Sequence, residues 1–90
     1  MIEYGTNESW MWHVPTGELR FQVSQDDKQI LCRVTRECIA DHCGNPIGED
    51  ACFTAAKEHF EAITDQVVRC IAVGHVEFDG SVLLRSADWR

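Results

Sequence analysis

The stretch from Asp50 to Gly74 constrains this chain more than any other part, because it alone is long and regular enough to demand one kind of structure. At about 100° per residue, Phe53, Ala56, Phe60, Ile63, Val67, Cys70 and Ile71 fall on one stripe, with Glu58, Glu61, Asp65 and Arg69 opposite. The spacing predicts one amphipathic helix over 50–74, with Asp50 as a plausible N-cap and Gly74 as its stop. An apolar stripe of that length needs a sheet to cover it.

The sheet is readable on either side of the helix. Leu19, Phe21 and Val23 alternate with Arg20 and Gln22; after a polar stretch, Ser24 to Lys28, Ile30, Cys32 and Val34 alternate with Leu31 and Arg33. Period-two alternation predicts a hairpin over 18–34 with one buried face. Thr35 offers an N-cap for a short helix over 35–44, ended by Gly44. Within 75–86, Asp79-Gly80 marks a tight turn before a strand at Ser81 to Leu84. Three successive apolar residues there suggest cover on both faces, with the N-terminal tryptophans as the second cover. The segment 1–17 is the least patterned. The expectation is a single α+β domain over 1–90. A small antiparallel sheet of two N-terminal and one or two C-terminal strands carries a short and a long helix on one face.

Fifteen acidic against eight basic side chains, a formal charge of −7, argue against nucleic acid or an anionic membrane as a partner. No run approaches the ~20 apolar residues of a membrane span, and Met1 to Glu8 have no signal-peptide character. Cysteines at 32, 38, 43, 52 and 70, an odd set, read as reduced thiols in a cytoplasm.

Several groups could carry function. Trp10, Met11 and Trp12 concentrate apolar bulk that either anchors a partner or shelters over the domain edge. Arg20 and Arg33, with Gln22, share the polar face of the hairpin and could hold an anion, although a solvated sheet face looks the same. Cys32, Cys38, His42 and Cys43 are the candidate metal ligands. They lack the paired spacing of a zinc knuckle, and buried free cysteine is the commoner explanation. Cys38 and Cys52 stand in first turns of helices, where a thiol could be activated, without an elbow or oxyanion segment beside them. Glu58, Glu61 and Asp65 line a face expected to be solvated, with Asp65 and Arg69 an i,i+4 pair. No catalytic residue and no cofactor is expected.

From Leu19 to Asp88 the chain resembles the bacterial family of small proteins named domain of unknown function 1488. The likeness rests on Cys32-Arg33-Val34-Thr35-Arg36-Glu37-Cys38-Ile39-Ala40-Asp41, on Phe53 followed by Phe60-Glu61, and on Gly80-Ser81-Val82-Leu83-Leu84 with Asp88 behind it. It departs from the family's polar-arginine pair at Ala56-Lys57, which weakens any site that arginine served. The resemblance implies a bacterial, cytoplasmic α+β protein and brings no activity or cofactor. The expected role is that of a non-enzymatic domain that binds another protein or a second copy of itself. A zinc or thiol-redox protein is the alternative, and an anion or small-molecule binder at Arg20 and Arg33 the weaker one.

Overall fold

In the computed structural model, which describes residues 2–90, strands come first, helices follow, and one strand closes the sheet. The order is β1 (Ile2–Glu3), β2 (Met11–His13), β3 (Glu18–Gln25), β4 (Lys28–Thr35), α1 (Arg36–His42), α2 (Glu49–Glu58), α3 (Phe60–Ala72) and β5 (Val82–Leu84), with 3₁₀ turns at Asn7–Ser9 and Ser86–Asp88. This is an α+β fold with a five-stranded mixed sheet. Met1, at the head of the expected N-terminal segment, lies outside the described residues.

The central hairpin turns on Asp26 and Asp27, with φ of 52° and 68°. Two residues at positive φ match the right-handed twist of the flanking strands, so the expected polar loop shrinks to a two-residue turn. On the far side of β3 sit β1, at Ser24 and Gln25, and β2, at Glu18 to Arg20. The poorly patterned N-terminal segment thus becomes two short antiparallel strands. Asn7 ties it to the helices by donating from Nδ2 to the Lys57 carbonyl at 3.1 Å.

The sheet is not wholly antiparallel. β5 pairs parallel with β4, Val82 beside Cys32 and Leu84 beside Val34. A parallel neighbour requires a long crossover, and the three helices are that crossover.

The single helix expected over 50–74 is two helices meeting at His59. There φ is −99° and ψ is 30°, outside the helical range. Its N–H is shared between the carbonyls of Ala55 and Ala56, at 3.0 and 3.1 Å, and its imidazole Nδ1 lies 2.9 Å from the Ala55 oxygen. The bend lets each half meet its own aromatic partner: Phe53 faces Trp12 at 6.4 Å between ring centroids, and Phe60 faces Trp10 at 5.3 Å. The apolar stripe survives across the break, with Ala56, Ile63, Val67 and Cys70 fully buried. The first half starts earlier than expected, at Glu49. Gly48 occupies the cap position at φ 91°, and Asp50 lies in the first turn.

Thr35 caps α1 as expected, its hydroxyl accepting from the Cys38 N–H at 3.1 Å. Leu19, Phe21, Val23, Cys32, Val34, Val82 and Leu84 meet Ile39, Cys52, Ile63 and Val67 in one core. Trp10 joins it, stacked on Phe21 with centroids 4.5 Å apart. The tryptophans therefore lie on the helical side. They do not form the second cover expected for the last strand, and the opposite sheet face is left open.

Candidate functional site

Strand alternation builds the open face. Because Leu19, Phe21, Cys32 and Val34 point into the core, Glu18, Arg20, Gln22, Leu31 and Arg33 point away from it. Register sets Met11 opposite Arg20, Arg20 opposite Arg33, and Arg33 beside Leu83, so one row crosses the sheet. Two arginines directly opposite repel. Glu18 relieves this: its Oε2 accepts from Arg20 Nε at 2.8 Å and lies 4.0 Å from Arg33 Nε. Glu18 is only 8% exposed, a carboxylate placed beneath two cations.

Toward the hairpin end, Met11, Trp12, Arg20, Gln22, Gln29 and Leu31 help to line a groove of about 660 Å³ with no acidic residue in its wall. Met11 is 68% exposed and Leu31 is exposed beside it. On the β5 side, Arg33, Glu77, Phe78 and Asp79 line a shallower hollow of about 350 Å³. Phe78 stands fully in water at the tip of its turn. Asp79 holds that turn, accepting from the Ser81 N–H at 2.9 Å and the Ser81 hydroxyl at 2.6 Å. Those two bonds, the hydroxyl's first, keep its carboxyl below the usual range, with Arg33 adding to the effect.

The other candidates are arranged differently. All five cysteines are free and buried. Burial pushes the thiols of Cys32 and Cys38 up to about 12, and those of Cys43 and Cys70 above the ordinary value. A buried neutral thiol is a poor nucleophile. His42 turns away from Cys38 and Cys43: its ring stacks on Trp89, and Nε2 lies 3.1 Å from the Ser86 carbonyl. Among the described residues, no three or more His, Cys, Asp or Glu side chains are grouped to hold a metal. Ser86 and Asp41 share a hydrogen bond from the serine hydroxyl to the carboxylate. That hydroxyl is therefore not donating to His42, and the trio is wired as a tail anchor.

Glu58, Glu61 and Asp65 are exposed on the helix surface. Arg69 reaches the Asp88 carbonyl and, at 3.5 Å, Gln66 Oε1, instead of pairing with Asp65. At the Ala56-Lys57 departure, Ala56 is buried under the sheet and the Lys57 ammonium sits 4.5 Å over the Phe53 ring.

Of the groups singled out in the sequence, Arg20, Arg33 and Met11 come together on the open face. Trp10 goes to the core and Trp12 is half-buried against Phe53. Sequence reasoning missed Glu18 and Phe78. Glu18 begins a strand whose alternation foretold only that it faces outward. The Glu77-Phe78-Asp79-Gly80 run did carry a signal, an aromatic residue flanked by acids at a turn.

No family sequence model and no curated protein matches the chain. Among solved structures it is similar to the crystal structure of a protein of unknown function from the domain of unknown function 1488 family of Shewanella loihica. The TM-score is 0.80 over 92% of this chain and 90% of that one, at 15% sequence identity. At such identity the likeness is one of fold. The chain is folded as a domain-of-unknown-function-1488-like α+β domain.

Proposed function

We propose that the domain works by contact, presenting the open face of its sheet to another polypeptide. One observation carries this reading: every helix covers the same side of the sheet, while the other side exposes Met11, Leu31 and Phe78 around Arg20 and Arg33. Apolar side chains interleaved with arginine, on a small domain with a fully used core, have the composition of interface centres. The role first assigned to Trp10-Met11-Trp12 passes to Met11 and its sheet neighbours. Five free, buried thiols support a reducing cytoplasm as the setting, and a bacterial origin belongs to the same proposal.

The test is site-specific photo-crosslinking in the cell that makes the protein. A photoreactive residue at Met11 or Leu31 is expected to give protein adducts; one at Ile47 or Val73, exposed apolar positions on the helical side, is not. Equal adduct yields at all four positions, or none at Met11 and Leu31, would remove the reading.

A further inference from the structure

We infer that the occupant of the open face is a second copy of this chain, the Glu77-Phe78-Asp79 turn of each copy seated in the Arg20 groove of the other. The inference rests on the reading above and names its partner.

The two halves of the contact are complementary in kind. The groove offers Met11 and Leu31 as apolar wall, Arg20 as cation and no acid, on a chain whose formal charge is −7. The turn offers the converse, a ring wholly in water between two carboxylates, of which Glu77 has a solvated 3.5 Å pair with Arg85 and Asp79 is held by Ser81. Arg20 has its Nε committed to Glu18; its terminal amino groups have no partner among the described residues and are free for a carboxylate.

The two halves are also placed for mutual exchange. β5 runs parallel to β4 with Val82 beside Cys32, so the residues before Val82 extend toward the hairpin end, as do Gln22 and Leu31. The turn lies on the β5 side of the face, while the groove runs from Met11 on β2 across Arg20 and Gln22 on β3 to Gln29 and Leu31 on β4. A twofold axis in the interface brings each turn over the other copy's groove and closes the pair. Two eight-residue strands flanked by two three-residue ones, at about 3.3 Å per residue and about 4.8 Å spacing, give roughly 350 Å² per copy. The total, about 700 Å² before the Phe78 turn is added, is below the size of a standard specific interface, so the dimer is weak and reversible.

Sedimentation equilibrium of the full chain from about 10 µM to 1 mM tests this. The mass should rise from 10.2 kDa toward twice that value. Phe78→Ser, at a position with no folding role, should weaken the dimer about 30-fold. Arg20→Glu and Glu77→Arg should each weaken it similarly, and their equimolar mixture should recover to within about threefold of wild type, because the charges then match across both contacts. Should Arg20→Glu not fold, Phe78→Ser alone decides. A wild-type chain that stays monomeric at 1 mM, or a dimer indifferent to Phe78→Ser, overturns the inference. Crosslinks from Met11 to proteins of other mass, with no dimer, overturn it while leaving the open-face reading standing.

Discussion

The indole of Trp89 lies flat on the imidazole of His42, ring centroids 4.6 Å apart and planes 6° from parallel. The stack fastens the last turn of the chain across α1. Around it, Gln66 on α3 donates to the Arg90 carbonyl at 2.6 Å and accepts from its N–H at 2.9 Å. The tail is thus part of the packed structure, and Trp89 touches the core. Trp89→Ala should cost about 2 kcal/mol, below the range for a fully buried tryptophan because Trp89 is only partly buried. Thermal unfolding should show a Tm lower by about 10 °C. A shift under about 3 °C would mean that the tail rests on the domain without supporting it.

Asp88 gives the same tail a dependence on acid. Partial burial works to raise its carboxyl. The Arg85 N–H at 3.0 Å, His75 at 3.1 Å and the Arg85 charge outweigh this, and the group sits below the usual carboxylate range. A depressed folded value means stability that is present above the unfolded pKa, near 3.8, and lost as pH falls through the folded one. Asp88→Asn should therefore be less stable than wild type by about 1 kcal/mol at pH 7, with the difference closing by about pH 2. Urea unfolding at several pH values would measure it, and a difference constant with pH would refute it.

How much of this was legible beforehand depends on how local the cause is. Leu19 to Val34 alternate at period two, and the strands and their inward faces follow from that alone. Thr35 caps its helix through a bond only three residues long. By contrast, Trp10 is buried because Phe21 and Phe60 close over it, and a sequence pattern names no such distant partner. The bend at His59 has the same origin, since two halves of one stripe serve two aromatic neighbours. Leu83 read as covered on both faces because an apolar triplet records hydrophobicity without recording which cover exists. Arg20 and Arg33 were correctly placed on one face, yet Glu18 beneath them was invisible until the register set all three together.

The cysteines give a dependence on alkali. Burial holds the thiols of Cys32 and Cys38 at about 12, against 9.0 unperturbed. A raised folded value means stability fully present below the unfolded pKa and lost as pH rises toward the folded one. The domain should therefore weaken from about pH 9 upward, by up to about 1.4 kcal/mol per pH unit for each such thiol. Chemical unfolding at pH 7, 9 and 10 would show it. In the native protein at pH 8, a thiol-reactive dye should label none of the five cysteines quickly, and all of them in denaturant. Rapid native labelling of even one would contradict the buried, protonated state.

Glu18 is the residue whose removal tests the open face itself. Its carboxylate is nearly buried, and it is the anion that faces both Arg20 and Arg33. Glu18→Gln keeps the shape and removes the charge, leaving two opposed cations with an amide between them. The expected loss is about 1 to 2 kcal/mol, within the usual range for a hydrogen bond to a charged group and reduced because both arginines are partly solvated. If repulsion is the cause, adding Arg33→Met to Glu18→Gln should recover part of the loss, giving a coupling of about 1 kcal/mol in a double-mutant cycle. Raising salt to about 0.5 M should shrink the Glu18→Gln effect. A purely additive cycle with no salt dependence would mean that Glu18 acts through packing alone, and the arginine row would then need no anion to hold it in place.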